Sequence, residues 1–398
     1  MSSSQFSQSQ EKNRSQQSRK PLKPDLPEAG LAERLPAEII ELARQSPQAL
    51  SAPQVHHLQQ HMGNRAVEGL VGAHLTRAGS VQRQAGVLQR EGENPLTPAQ
   101  VNLAIQYYQK RSTEYTSTII QQIQGGVGVP TTGVVDAAMV QAVARYQLVN
   151  SPLKVDGMAG PRTLPALFPS GLAEQAAVEE YAAAARTAIN DDWAGKTPDE
   201  RAQAILDRVN ERLTAAGVPV VGKVVHAMDP NTYGQFDFTV WSIEINLGLV
   251  QNTTLTEAQA ADLADTMYHE ARHGEQWYRM AQLLAGQNKT AEEIATQMGI
   301  PNNIALSAKD NPLAPGSMEA LIADGWFQSV YGTGRAHREH ALGDEGTDEQ
   351  YRNLPEESDA WRVGTAVTDA YRAGAGAEAG EGEATVLDME PLEIEGTP

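Results

Sequence analysis

The chain contains no cysteine in 398 residues. That excludes disulfides, a thiolate metal site and a cysteine nucleophile, and it is compatible with more than one redox compartment. Basic residues are in deficit: 31 Lys and Arg stand against 50 Asp and Glu, a formal net charge of −19. A surface of that sign repels phosphate backbones and anionic headgroups, which argues against a nucleic-acid or membrane-surface partner. No apolar run approaches the length of a membrane span, so no membrane span is expected. The N-terminus also lacks the apolar core of a signal peptide. The expected location is therefore the cytoplasm of the producing cell, with any export by another route.

What is present is concentrated in Tyr268-His269-Glu270-Ala271-Arg272-His273-Gly274-Glu275-Gln276-Trp277. On a helix, His269 and His273 stand one turn apart on one face, close enough for both imidazoles to reach one metal ion. Glu270 sits one step round the helix. It flanks such an ion instead of binding it and is placed to take a proton from water there. Two neutral nitrogen ligands, an adjacent carboxylate and an open coordination position suit hydrolysis assisted by Zn2+. Thr256 and Gln259 have the spacing of a capping box, and Leu263, Met267 and Ala271 recur every four residues. The motif is thus expected on an amphipathic helix running through Trp277, Met280 and Leu284 to a stop at Gly286.

Catalytic zinc usually has three protein ligands, so a further residue should complete the set. The stretch from Leu354 to Gly364 supplies candidates. Pro355 suits a first helical turn, and Ala360, Val363, Val367 and Tyr371 mark a buried stripe. Glu356 lies near the centre of that stripe, where an unpaired carboxylate would be costly. Glu357 lies two turns before Gly364, a bare position that would let two helices approach closely. Either glutamate fits the spacing.

The whole pattern resembles the gluzincin metallopeptidases, in which a glutamate on a second helix completes the site. Those families often carry Glu-x-x-x-Asp with a glycine two turns after the glutamate. Here Gly364 keeps its spacing from Glu357, but Asp359 follows only two residues after it. The resemblance implies Zn2+ held by His269, His273 and Glu357 (Glu356 as alternate). It also implies Glu270 as general base and a protein or peptide substrate.

Residues 1–50 open with a Ser/Gln-rich tract followed by Pro21, Pro24, Pro27 and Pro36, a composition expected to be a disordered leader. Residues 51–92 read as short helices and carry His56, His57 and His61. Leu58-Gln59-Gln60-His61-Met62-Gly63-Asn64-Arg65-Ala66-Val67 and Val81-Gln82-Arg83 resemble the leader of cargo proteins of extracellular contractile injection systems. That resemblance implies tube or cap proteins of the particle as partners, and loading for delivery outside the cell.

Residues 95–168 hold three helical patterns separated by Asp-Gly and Gly-Pro turns. Val135-Asp136-Ala137-Ala138-Met139-Val140-Gln141-Ala142-Val143-Ala144-Arg145-Tyr146-Gln147 and Val155-Asp156-Gly157-Met158-Ala159-Gly160-Pro161-Arg162-Thr163-Leu164 resemble the three-helix peptidoglycan-binding module. The family implies peptidoglycan as a partner. Most of the matching positions are turn glycines and core residues, which maintain the fold.

Residues 172–372 are expected to form an α+β zincin-like domain. Val220 to Ala227 and Phe236 to Leu247 read as strands. In zincins, the strand just before the motif helix commonly forms the sheet edge on which peptides pair. The polar stretch Thr333 to Asn353 reads as a surface loop, with Tyr331, His337 and His340 as candidates for holding an oxyanion. The tail, 373–398, has no basic residue and is expected to be disordered. The expected fold is therefore multidomain and mostly α: a three-helix peptidoglycan-binding-like module plus an α+β zincin-like domain, between disordered termini. The rival readings are a non-catalytic scaffold or wall-binding protein of the particle, and a cell-wall endopeptidase or amidase.

Overall fold

Helix starts in this chain are encoded largely by threonine. Thr97, Thr197, Thr256, Thr290 and Thr347 each accept from the backbone three residues on, while a Gln or Glu at that position reaches back to the threonine N–H. Each such box satisfies two of the amide donors that a helix leaves open. The computed structural model describes residues 94–229, 232–343 and 346–381, the side chains of 375–381 excepted. The expected leader (1–50), the loading segment (51–92) and the last part of the tail (382–398) lie outside the described residues.

The first three helices are α1 (Pro98–Lys110), α2 (Ser117–Gly126) and α3 (Ala137–Val149). They close around Tyr108, Ile119, Ile123, Met139 and Val143. Gln147 ties the Asp-Gly turn to them. Its Oε1 accepts from the amides of Asp156 and Gly157 at 3.0 and 2.8 Å, and its Nε2 donates to the Met158 carbonyl at 2.9 Å. Gly157 sits there at φ +73, where a side chain would strike Val140 and Leu96. A short α4 (Leu164–Leu167) and a 3-10 turn (Gly171–Ala173) lead into α5 (Gln175–Asn190) and α6 (Pro198–Ala215). Buried side chains from Leu96 to Tyr371 belong to one continuous apolar cluster.

A small mixed sheet follows: β1 (Gly222–His226), β2 (Gly234–Asp237) and β3 (Ser242–Asn246). The order is β1-β3-β2, with β3 parallel to β1 and antiparallel to β2. The expected single strand from Phe236 to Leu247 is therefore two strands, joined by a turn that ends at Trp241 with φ +57. β3 lies in the middle of the sheet, so it has no edge to offer. The two edges belong to β1 and β2.

The remaining helices are α7 (Leu247–Val250), α8 (Glu257–Gly286), α9 (Ala291–Met298), α10 (Asn302–Asp310), α11 (Met318–Val330), α12 (Arg335–Leu342), α13 (Asp348–Arg352) and α14 (Pro355–Glu381). α8 begins and ends where the capping box and Gly286 place it. It is not a one-sided amphipathic helix, however, because its buried residues face every direction and include Asp265, Arg272, Glu275, Gln276 and Gln282. The polar stretch 333–353 is not a plain loop, since α12 and α13 lie within it. α14 runs nine residues past the boundary expected at 372, because alanine in the Ala/Gly run sustains the helix. Among the described residues, no helix is long and apolar enough to cross a membrane.

α14 packs along α8, and at Gly364 its backbone lies directly against α8. A Cβ at Gly364 would collide with Asp265 Oδ1 and lie 3.5 Å from the His269 Cβ. Asp265 is held by Thr368 Oγ1 at 3.1 Å, and Tyr268 stacks on Tyr181 of α5 with ring centroids 4.4 Å apart. Gly364→Ala is therefore expected to destabilise the fold by about 1–3 kcal/mol, the usual range for overpacking. A chemical melt at unchanged slope would register this; an unshifted midpoint would show that the crossing is not tight.

Candidate metal centre

α8 carries His269 and His273 on one face, with their ring centroids 4.9 Å apart. α14 brings Glu357 across to them. Its Oε2 lies 3.9 Å from His269 Nε2 and 3.4 Å from His273 Nε2. One ligand atom from each residue lies within 4.8 Å of the others, and all three residues are buried. Donor atoms bound tetrahedrally to zinc at the usual 2.0–2.1 Å would be roughly 3.4 Å apart. The two spacings from Glu357 Oε2 to the imidazole nitrogens match that to about half an ångström.

The donor set also fits a cation chemically. Glu357 Oε2 is buried and, beyond the 3.4 Å approach of His273 Nε2, makes no well-formed hydrogen bond, a condition that an ion between the three groups would relieve. His273 turns its Nδ1 to Gln276 Oε1 at 2.9 Å. An amide oxygen accepts only, so Nδ1 donates to it and Nε2 is the nitrogen directed at the shared point, its lone pair free once an ion has displaced the second proton. Gln276 is oriented in turn. Its Nε2 donates to the Glu356 carbonyl at 2.9 Å and to Asp359 Oδ2 at 3.1 Å. Asp359, displaced from the spacing that the gluzincin resemblance implies, thus acts on His273 through an intervening amide.

Glu356 is fully buried but turns away. Its Oε1 accepts from Arg338 Nε at 2.8 Å, and it is not part of the group that can hold an ion. Of the two glutamates left open by the sequence, the fold brings Glu357 to the imidazoles. Glu270, next to His269 on α8, lies beside the group. It accepts from the Phe236 amide of β2, and its Cγ lies 3.6 Å from where a Cβ of Gly234 would be. β2 therefore runs beside the candidate base.

Tyr331, His337 and His340 do not join this cluster. The Tyr331 hydroxyl accepts from Trp277 Nε1 at 3.1 Å and donates to the Met298 carbonyl at 2.8 Å, a half-buried brace on α8. Both histidines are exposed on α12. The hydroxyl that does reach the site belongs to Tyr351 of α13, which hydrogen-bonds Glu357. Trp361 meets His269 edge-on at 5.0 Å. Gln276 had a sequence signal, one turn beyond His273 on the same helix. Tyr351 had none, because its place depends on how α13 folds back.

Burial pushes Glu270 up to about 7, against the pull of His273. Burial also opposes charge on Glu357 and His273, but their mutual attraction outweighs it. Glu357 is held down near 2 and His273 up near 9. In the ion-free protein the pair's stabilisation is fully present between the ordinary values of 4.5 and 6.5. It is lost as pH rises through the His273 value or falls through the Glu357 value. Glu270 has the opposite sense, since its buried charge costs more as pH rises from 4.5 through about 7.

Comparison with protein-family profiles, with curated proteins and with solved structures returned no match.

An ion entering this group must displace the His273 proton. Its affinity is expected to rise about tenfold per pH unit between 6.5 and 9, with about one proton released. Calorimetry of Zn2+ binding in buffers of different ionisation enthalpy reads that proton directly; zero release at pH 7.5 would contradict the assignment.

Proposed function

We propose that the chain is a zinc-dependent peptidase that hydrolyses peptide bonds, delivered as an effector cargo of a contractile injection system. The observation that carries the catalytic reading is the meeting of His269, His273 and Glu357 from two helices, with Glu270 beside them. The delivery reading is supported by the sequence pattern of residues 51–92 and by that alone.

His269, His273 and Glu357 would hold the ion. When bound, it supplies Lewis acidity toward water and toward the scissile carbonyl. The protein's own part falls to Glu270. A carboxyl lifted to about 7 gains and loses a proton near neutrality, which suits a group that takes a proton from the attacking water and returns it to the leaving amine nitrogen. Gln276 and Asp359 keep the His273 ring oriented, so Nε2 is directed before any ligand arrives. β2 beside Glu270 is the strand on which an extended substrate would pair, by main-chain hydrogen bonds.

A second reading is favoured by enclosure. His269 and His273 are each 7% exposed and Glu357 4%, with the Tyr351 hydroxyl on Glu357. Structural metal sites are closed in this way, which fits a non-catalytic scaffold of the particle. A cell-wall endopeptidase or amidase would keep the peptidase chemistry but act on crosslinks.

Glu270→Gln separates these readings. A peptidase is expected to keep near-stoichiometric zinc and its melting temperature while losing about 10²–10⁴-fold in hydrolysis of an unfolded protein or of purified sacculi. His273→Ala should lose the zinc itself. Wild-type protein that holds zinc yet cleaves neither substrate would leave the scaffold reading standing. Release of fragments from sacculi alone would select the wall enzyme.

A further inference from the structure

Three charged side chains behind the candidate centre are almost completely enclosed: Arg272 and Asp359 at 1% exposure and Glu275 at 0%. Arg272 Nε donates to Asp359 Oδ2 at 2.8 Å, and its Nη1 donates to Glu275 Oε2 at 2.5 Å. Removing one member of such a buried set leaves the others as unpaired buried charges and is strongly destabilising, so these groups hold one arrangement. What completes the set comes from outside α8 and α14.

The end of the helical module and the turn that leads into α5 supply those contacts. Arg272 Nη1 also donates to the Ser170 carbonyl at 3.1 Å, and the Leu172 amide donates to Glu275 Oε2 at 3.0 Å. Arg362 Nη2 bridges Asp359 Oδ1 at 2.7 Å and the Pro165 carbonyl at 3.3 Å. Arg162 Nε donates to Ser358 Oγ, next to Glu357, at 3.2 Å. Gly171, at φ +57, lies so close that a Cβ would occupy the Glu275 carboxylate. From there, contacts run from Asp359 to Gln276 at 3.1 Å and from Gln276 to His273 Nδ1 at 2.9 Å.

We propose that residues 162–172 are a positioning element of the metal site. The segment sets Arg272, Glu275 and Arg362, these set Asp359, and Asp359 orients His273 through Gln276. The proposal rests on the metal-site reading above and adds that the helical module is a working part of the centre and not a passive tether. Ion binding and seating of this segment must then stabilise each other reciprocally.

Co2+ titrated against a competing chelator and followed by visible absorbance tests this, alongside thermal melts. Two variants lie off the ligand set: Gly171→Ala displaces Glu275, and Arg362→Met removes the bridge to Pro165. Lys154→Ala, on an 81% exposed side chain of the module, is the control. Both variants should bind Co2+ about 10–100-fold more weakly, with an altered ligand-field spectrum, while still folded at the assay temperature. The control should match wild type. In wild-type protein, Co2+ should also slow hydrogen exchange across 165–173. Variant affinities within twofold of wild type, with an unchanged spectrum, would overturn the coupling while leaving the metal site intact. If Gly171→Ala does not fold, Arg362→Met decides alone. Wild-type protein that takes up no cobalt removes the metal reading itself, and the coupling with it.

Discussion

The close crossing of α8 and α14 is the constraint on which the rest depends. Two helices normally keep their axes about 8–10 Å apart, with side chains filling the space between. At Gly364 there is no side chain to fill it, and α14 settles against Asp265 and the root of His269. Two turns earlier on α14, that approach delivers Glu357 to within 3.4 Å of His273 Nε2. Neither helix carries all three members of the group. The set exists because the crossing is tight.

A tight crossing lined with charges needs compensation, and the fold supplies it in two adjoining groups. In one, Glu357 and His273 hold each other charged against the cost of burial, with Tyr351 on the carboxylate. In the other, Arg272, Arg279 and Arg362 surround Asp359 and Glu275. Gln276 joins the two by accepting from His273 and donating to Asp359. Buried ion pairs are weak evidence for stability, because desolvation offsets most of their attraction. Their value here is directional: Asp359 holds Gln276, and Gln276 holds the ring of His273.

The elements were largely legible because their signals are local. Thr256 with Gln259, Gly286 after Leu284, Thr290 with Glu293 and Pro355 all mark helix limits that the backbone obeys. Two imidazoles four residues apart on a helix must share a face, so half of the candidate site followed from periodicity. The misreadings share another origin. Phe236 to Leu247 is apolar-rich enough to read as one strand, yet Trp241 adopts φ +57 and turns the chain, which leaves β3 in the middle of the sheet. The stretch Thr333 to Asn353 is polar enough for a loop, but α12 and α13 form within it and bring Tyr351 to Glu357.

Between Glu356 and Glu357 the sequence could not choose. Both are acidic, both sit in the first turn of α14, and the helix rotates by only 100° from one to the next. Which of them reaches the imidazoles depends on how α14 is rolled about its axis, and that roll is set by Gly364 against Asp265, by Arg338 waiting for Glu356, and by Arg362 reaching Pro165. By itself the sequence determined the helices, their caps and the pairing of His269 with His273, because hydrogen bonds and side-chain spacing within a few residues suffice for those. Only the tertiary structure decided the third member of the group and the buried charges behind it, because their partners lie 80 to 200 positions away along the chain and meet only when the core closes.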